Sequence, residues 1–243
     1  GLLEVVTLAV LLFLPTTFLA GAFPFERWGS AAYWGFVLVV PAAAAFVVHR
    51  CTRRRLVDPL LVALGVVVGL LAIDLFIGAP LQFNTVFGYT PTVAGRFAGV
   101  GNPAFSMLAA GGILLAVLLA YRIGGRRGSL VGVAVLVACL LLDGLPFLGA
   151  DVGGALTLVP TVGIVSCLLL GIRVRLRSLV LWTVGAVVVT TGFGLLDLTR
   201  PPEDRTHLGR LLADIGENGV EALNTVIIRK LEANLSVILS SVW

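Results

Sequence analysis

Apolar residues fall in seven long runs, each bounded by charge or by Gly and Pro turn signals: residues 2–22, 30–48, 58–78, 103–121, 129–148, 152–172 and 178–197. About 20 apolar residues are what an α-helix needs to cross a bilayer, so the pattern predicts seven transmembrane helices with short connections. From about 206 to 243 the pattern changes. Val220, Leu223, Ile227, Leu231, Leu235 and Ile238 recur every three or four positions, with Glu221, Thr225, Arg229, Glu232 and Ser236 opposite. That is the period of an amphipathic helix lying on a membrane surface or against the bundle. Lys230 and Asn234 interrupt its apolar edge, and a further membrane entry after Lys230 stays open.

The expected fold is therefore an all-α polytopic membrane bundle over residues 1–199, followed by an extracytoplasmic amphipathic segment over 200–243. Composition agrees. Of 243 residues, 58% are hydrophobic and 12% charged, and the mean hydropathy is +1.07. Soluble domains carry about twice that share of charge, so soluble enzyme folds are excluded, and intrinsic disorder needs the opposite balance.

The net charge of +4 does not point to nucleic acid, because the charges mark topology. Ten arginines occupy one set of loops: Arg50 and Arg53 to Arg55, then Arg122, Arg126 and Arg127, then Arg173, Arg175 and Arg177. Up to residue 199 the opposite set holds only Arg27 and Arg96, against Glu26, Asp74, Asp143, Asp151 and Asp197 in or beside it. By the positive-inside rule the arginine-rich loops and the N-terminus are cytoplasmic. Residues 23–29, 79–102, 143–151 and 198 onward then face outward. Residue 1 is Gly and no basic segment precedes the first run, so the natural N-terminus is expected to lie further upstream. Glu4 and the length of the first run fit a retained helix better than a cleaved signal peptide. Cys51 falls in a cytoplasmic loop and Cys139 and Cys167 inside spans, which leaves no pair placed for a disulfide.

An ionisable side chain in hydrocarbon is costly unless it faces protein, water or an ion, so the few acids near span ends carry most of the chemical information. Asp74, Asp143 and Asp197 each close an outward-running helix, and each is followed within six residues by Pro80, Pro146 or Pro201. This reads either as a repeated unit of helix, acid, proline turn and return, or as the ordinary preference for Pro after helix ends.

The connection 79–102 is long for a loop without function and too apolar to sit in water, so a re-entrant outer loop is expected. Its one charge, Arg96, lies between Gly95 and the Gly99-Val100-Gly101 stretch, and Asn102 followed by Pro103 reads as the N-cap and first residue of the fourth span. Arg96, exposed amides and that helix start would suit a phosphate or carboxylate; the plainer account has Arg96 satisfying Asp74, Asp143 or Asp151. Asp151 is placed to cap the sixth span ahead of Gly153 and Gly154. With Asp74, Asp143 and Asp197 it offers oxygen ligands of the kind Mg²⁺ or Ca²⁺ takes, but no fixed metal spacing accompanies them, and no cofactor is expected beyond such a cation.

His207 stands alone outside as a candidate general base or proton shuttle, whereas His49 sits among the cytoplasmic arginines. The candidate ligand-binding set is thus Arg96, Asn102, Asp151, Asp143, Asp74 and His207, with no catalytic residue assigned. Gly-x-x-x-Gly occurs five times, at 65/69, 95/99, 124/128, 128/132 and 149/153, against about 3.5 expected by chance from 29 glycines, so helix dimerisation gains no support. Phosphate-binding Gly-x-x-x-x-Gly-Lys, His-Glu-x-x-His and Gly-x-Ser-x-Gly are absent.

Several strings nonetheless form an ordered set: Gly88-Tyr89-Thr90-Pro91 running to Gly95-Arg96-Phe97-x-Gly99-x-Gly101-Asn102, then Gly149-Ala150-Asp151-Val152-Gly153-Gly154, then Arg205-Thr206-His207-Leu208-Gly209-Arg210, and last Arg229-Lys230-Leu231-x-x-Asn234-Leu235. Over about residues 70–243 the chain resembles the membrane region of large uncharacterised envelope proteins of Gram-positive and related bacteria. In that family the membrane region looks to follow an extracytoplasmic domain similar to the alkaline phosphatase superfamily. The resemblance implies that this chain is the membrane half and that any catalytic metals belong to a different part.

Three functions then compete. The chain binds an anionic, lipid-linked envelope substrate on its outer face and presents it to an associated extracytoplasmic domain or subunit; or it is a secondary transporter, as hairpin repeats and broken helices suggest; or it is a structural subunit or anchor of a larger envelope complex. All three place it in the bacterial cytoplasmic membrane with lipid as its immediate partner.

Overall fold

A computed structural model describes the chain except residues 53–56, 84, 90–98, 220, 222–223, 225–226, 230, 233–234, 237–238 and 240–243. Nine α-helices follow one another among the described residues: α1 (Leu2–Leu19), the short α2 (Phe25–Trp28), α3 (Ser30–Cys51), α4 (Asp58–Phe76), α5 (Asn102–Ile123), α6 (Gly125–Gly144), α7 (Val152–Leu169), α8 (Leu176–Leu198) and α9 (His207–Asn218). Seven of them, all but α2 and α9, are long and apolar enough to cross a membrane. The chain is an all-helical, polytopic integral membrane protein. α6 starts four residues before the expected boundary. The chain turns at Gly124 and Gly125, both at positive φ (75° and 58°), and the helix then runs straight through Arg126 and Arg127.

The spans are apolar all round, as helices facing both lipid and protein must be. α3 and α8 are only 17% buried over their apolar stretches, against 33–44% for the other five, so most of their surface is not packed against the described residues of the chain. Residues 1–189 and 190–243 form separate compact units, the division falling inside α8. In the first unit α1 packs on α3 and α4, α4 on α5, α5 on α6 and α6 on α7. One core joins Phe18, Leu71, Leu75, Val100, Leu108 and Cys139; another joins Leu8, Leu12, Ala45 and Ala63.

α5 and α6 approach closely because their contact is built from small residues. A Cβ on Gly128 would strike the Ala120 carbonyl, one on Gly132 the Ala116 carbonyl, and one on Gly112 the Cys139 sulfur. The 128/132 glycine pair therefore serves packing within the chain. At the arginine-bearing ends the helices are tied by polar links: Arg122 Nε to Asp58 Oδ1 at 2.7 Å, His49 Nδ1 to Glu4 Oε2 at 3.1 Å, and the Ser129 hydroxyl donating to the Leu169 carbonyl at 2.6 Å.

In the second unit α9 is amphipathic. Leu208, Leu211, Leu212 and Ile215 are half-buried, while Arg210, Asp214 and Glu217 are exposed. Leu208 and Leu212 lie against Gly194 of α8. The single amphipathic helix expected from 206 onward is interrupted: α9 stops at Asn218 and Gly219 takes φ 68°, a left-handed conformation that glycine adopts without a Cβ penalty. Beyond it the described residues from 221 to 239 are helical, with Ile227, Leu231 and Leu235 exposed. Val220, Leu223, Lys230, Asn234 and Ile238 lie outside the described residues.

Candidate functional site

Three acids close three helices, and each is almost wholly buried: Asp74 at 1% exposure, Asp143 at 0% and Asp197 at 0%. A buried carboxylate demands donors; the loops after α4 and α8 supply them to Asp74 and Asp197, and the loop after α6 packs against Asp143.

After α4, the chain turns through Ala79, a non-glycine residue at φ 61°, into a 3₁₀ turn at Pro80–Gln82. The Leu81 amide donates to Asp74 Oδ1 at 2.8 Å and the Gln82 side-chain amide to Oδ2 at 2.9 Å. Gln82 Oε1 then accepts from the Gly101 amide at 3.0 Å. One glutamine thus bridges the acid at the end of α4 to the start of α5. Tyr89 straps the same loop: its amide donates to the Gln82 carbonyl at 2.9 Å, its hydroxyl to the Gly99 carbonyl at 3.3 Å, and its ring leaves no room for a Cβ on Gly101. Phe87 reaches Phe13, with ring centroids 6.2 Å apart. Since Phe13 lies within α1 (Leu2–Leu19), the described part of this connection folds back along the side of that helix.

The second loop lies beside the first, because the Val100 amide donates to the Gly149 carbonyl at 2.8 Å. The Asp143 carbonyl accepts from the Asp151 amide at 3.0 Å. Asp151 caps α7 as its position suggests, with Oδ1 accepting from the Gly153 amide at 3.1 Å, and Gly154 in the next turn rests directly on the Asp143 carboxylate.

The third loop repeats this plan with one more residue. Thr206 caps α9, accepting from the Leu208 amide at 3.3 Å, and Gly209 rests on the Asp197 carboxylate. Asp197 Oδ2 accepts from the Thr206 amide at 2.8 Å, the Thr206 hydroxyl at 2.7 Å and the Gly209 amide at 3.1 Å. Arg200 Nη1 reaches Oδ1 at 3.2 Å, and Arg205 donates to the carbonyls of Arg200 and Leu198 at the end of α8.

Asp74, Asp143 and Asp151 therefore share one neighbourhood in the first unit, and Asp197 and His207 belong to the second. Arg96 lies outside the described residues. Asn102 is exposed, and the cap of α5 is Gly101, not Asn102. The exposed amides expected near Arg96 are not assigned to residues by the sequence; those of Val100 and Gly101 are bonded to Gly149 and Gln82. His207 is exposed in the first turn of α9. Among the described residues no three His, Cys, Asp or Glu side chains come together as a metal site needs. The residues absent from the expected set are Gln82 and Thr206. Gln82 is the only glutamine in the chain, and a long side-chain amide in so apolar a loop is a signal that it has a buried partner. Compared with family models, with curated proteins and with solved structures, the chain finds no match.

Proposed function

We propose that the chain is the membrane-embedded part of a bacterial envelope protein, inserted with its arginine-rich loops in the cytoplasm. On this reading each acid-closed loop is by itself a rigid outward platform for an extracytoplasmic domain or partner subunit. The observation that carries this reading is the buried Asp197, whose carboxylate accepts from Thr206, Gly209 and Arg200 of its own loop. Asp74 is held in the same manner by Leu81 and Gln82. Acids bonded in this way lock hairpins; they are not open to a travelling substrate or proton. The ten-to-two arginine asymmetry supports the orientation.

Amide hydrogen exchange on the protein in nanodiscs tests the platform. The amides of Leu81, Gly101, Thr206 and Gly209 are expected to be among the most protected in their loops. Rapid exchange there would favour an alternating carrier, whose broken helices must open. A second reading, binding of an anionic, lipid-linked substrate, rests on Arg96 and on the fixed flanks of its segment, Tyr89 and Gly99. An Arg96→Ala variant of the full-length protein that folds and keeps normal activity removes that reading.

A further inference from the structure

The turn between α5 and α6 and the turn between α7 and α8 are neighbours. The Ser129 hydroxyl at the start of α6 donates to the Leu169 carbonyl at the end of α7 at 2.6 Å, and a Cβ on Gly132 would come within 2.9 Å of Leu169 Cδ1. Both turns are tight, the first through Gly124 and Gly125 and the second through Gly171 at φ 71°, where the Ile172 amide donates to the Cys167 carbonyl at 2.8 Å. Together they carry Arg126, Arg127, Arg173, Arg175 and Arg177, all exposed.

Among the described residues none of these five has an ion-pair partner, whereas Arg122 nearby is held by Asp58. No acid is near them in sequence either: residues 75–142 and 152–196 contain no Asp or Glu. Arg126 and Arg127 stand in the first turn of α6, and Arg177 in the first turn of α8. There a cation opposes the helix dipole, so these arginines do not serve their own helices.

We propose that the two turns form one binding surface for anionic phospholipid headgroups of the leaflet that borders them. The turns end apolar spans, which sets them at headgroup depth. Guanidinium forks match phosphate oxygens two at a time, and clustered arginines next to spans attract anionic lipid. A bound phosphate also relieves the conflict of Arg126, Arg127 and Arg177 with their helix dipoles. Topology alone asks only for positive charge at this end. It does not ask that two turns be joined by a hydrogen bond with none of their guanidiniums in an ion pair among the described residues.

The test uses the full chain in nanodiscs of phosphatidylcholine with a minor fraction of phosphatidylglycerol, extracted gently and read by native mass spectrometry. Wild type is expected to retain phosphatidylglycerol enriched about tenfold over the bulk ratio. R173Q/R175Q/R177Q is expected to lose most of that enrichment, while R27Q, at an exposed arginine outside this surface, keeps it. R126Q/R127Q, which leaves the second turn to hold the topology, repeats the test should the triple variant fail to fold. Retention at the bulk ratio by wild type, or enrichment unchanged in the arginine variants, overturns the proposal.

Discussion

Gln82 is bonded at both ends of its amide, donating to Asp74 and accepting from Gly101, so its chemistry is more constrained than its size. Gln82→Leu leaves a buried carboxylate oxygen and a buried amide without partners. It is expected to lower unfolding stability in detergent by about 3 kcal/mol. Gln82→Glu is the sharper variant. Protonated, the introduced carboxyl keeps one donor and one acceptor; ionised, it sets a second negative charge against Asp74. The native state then needs a proton that the unfolded chain releases above about pH 4. Stability of the variant relative to wild type should therefore fall as pH rises above that value. Thermal unfolding at a series of pH values reads this directly, and a gap that does not change with pH would mean that side chain 82 does not bond Asp74.

At the scale of elements, two returning helices rest on an acid through a glycine: α7 on Asp143 through Gly154 and α9 on Asp197 through Gly209. Propensity alone favours alanine over glycine in a helix by about 1 kcal/mol, but a methyl at either position would occupy the space of a carboxylate. Gly209→Ala and Gly154→Ala are accordingly expected to destabilise by about 1–3 kcal/mol. Gly216→Ala in α9, where a Cβ meets nothing within 4 Å, is expected to be neutral or stabilising. Melting temperatures of the three variants decide it, and a harmless Gly209→Ala would dismiss the closure. The repeated acid and proline along the chain is thus more than a helix-end habit for the second and third loops, which share the order acid, cap, glycine. The spans were legible because a bilayer enforces some 20 apolar residues on any helix that crosses it, and the Asp151 cap because its bond reaches only two residues along the chain. The bridge from Asp74 through Gln82 to Gly101 was not, since its second bond joins positions 19 apart with no periodic spacing. The α5 cap is Gly101, whose backbone is extended, immediately before the Asn-Pro pair. The break at Gly219 escaped because the apolar stripe runs on across it.

For the whole molecule, orientation decides what the platform can meet. The five arginines without an ion-pair partner among the described residues and the buried acids mark opposite kinds of loop, and the proposed orientation assigns the former to the cytoplasm. Cys51 reports on this without an introduced cysteine. It is exposed at the end of α3, next in sequence to Arg50, whereas Cys139 is buried and Cys167 half-buried within spans. A membrane-impermeant maleimide is expected to leave the protein unlabelled in intact cells and to label it once the membrane is permeabilised, while Cys51→Ser stays unlabelled in both. Labelling of intact cells would turn the chain over and put the acid-closed loops in the cytoplasm, where an extracytoplasmic partner could not reach them. The lipid surface would survive that reversal, because it depends on phosphate at the bordering leaflet and not on which leaflet that is. The platform would not, so one labelling experiment separates the reading that depends on sidedness from the one that does not.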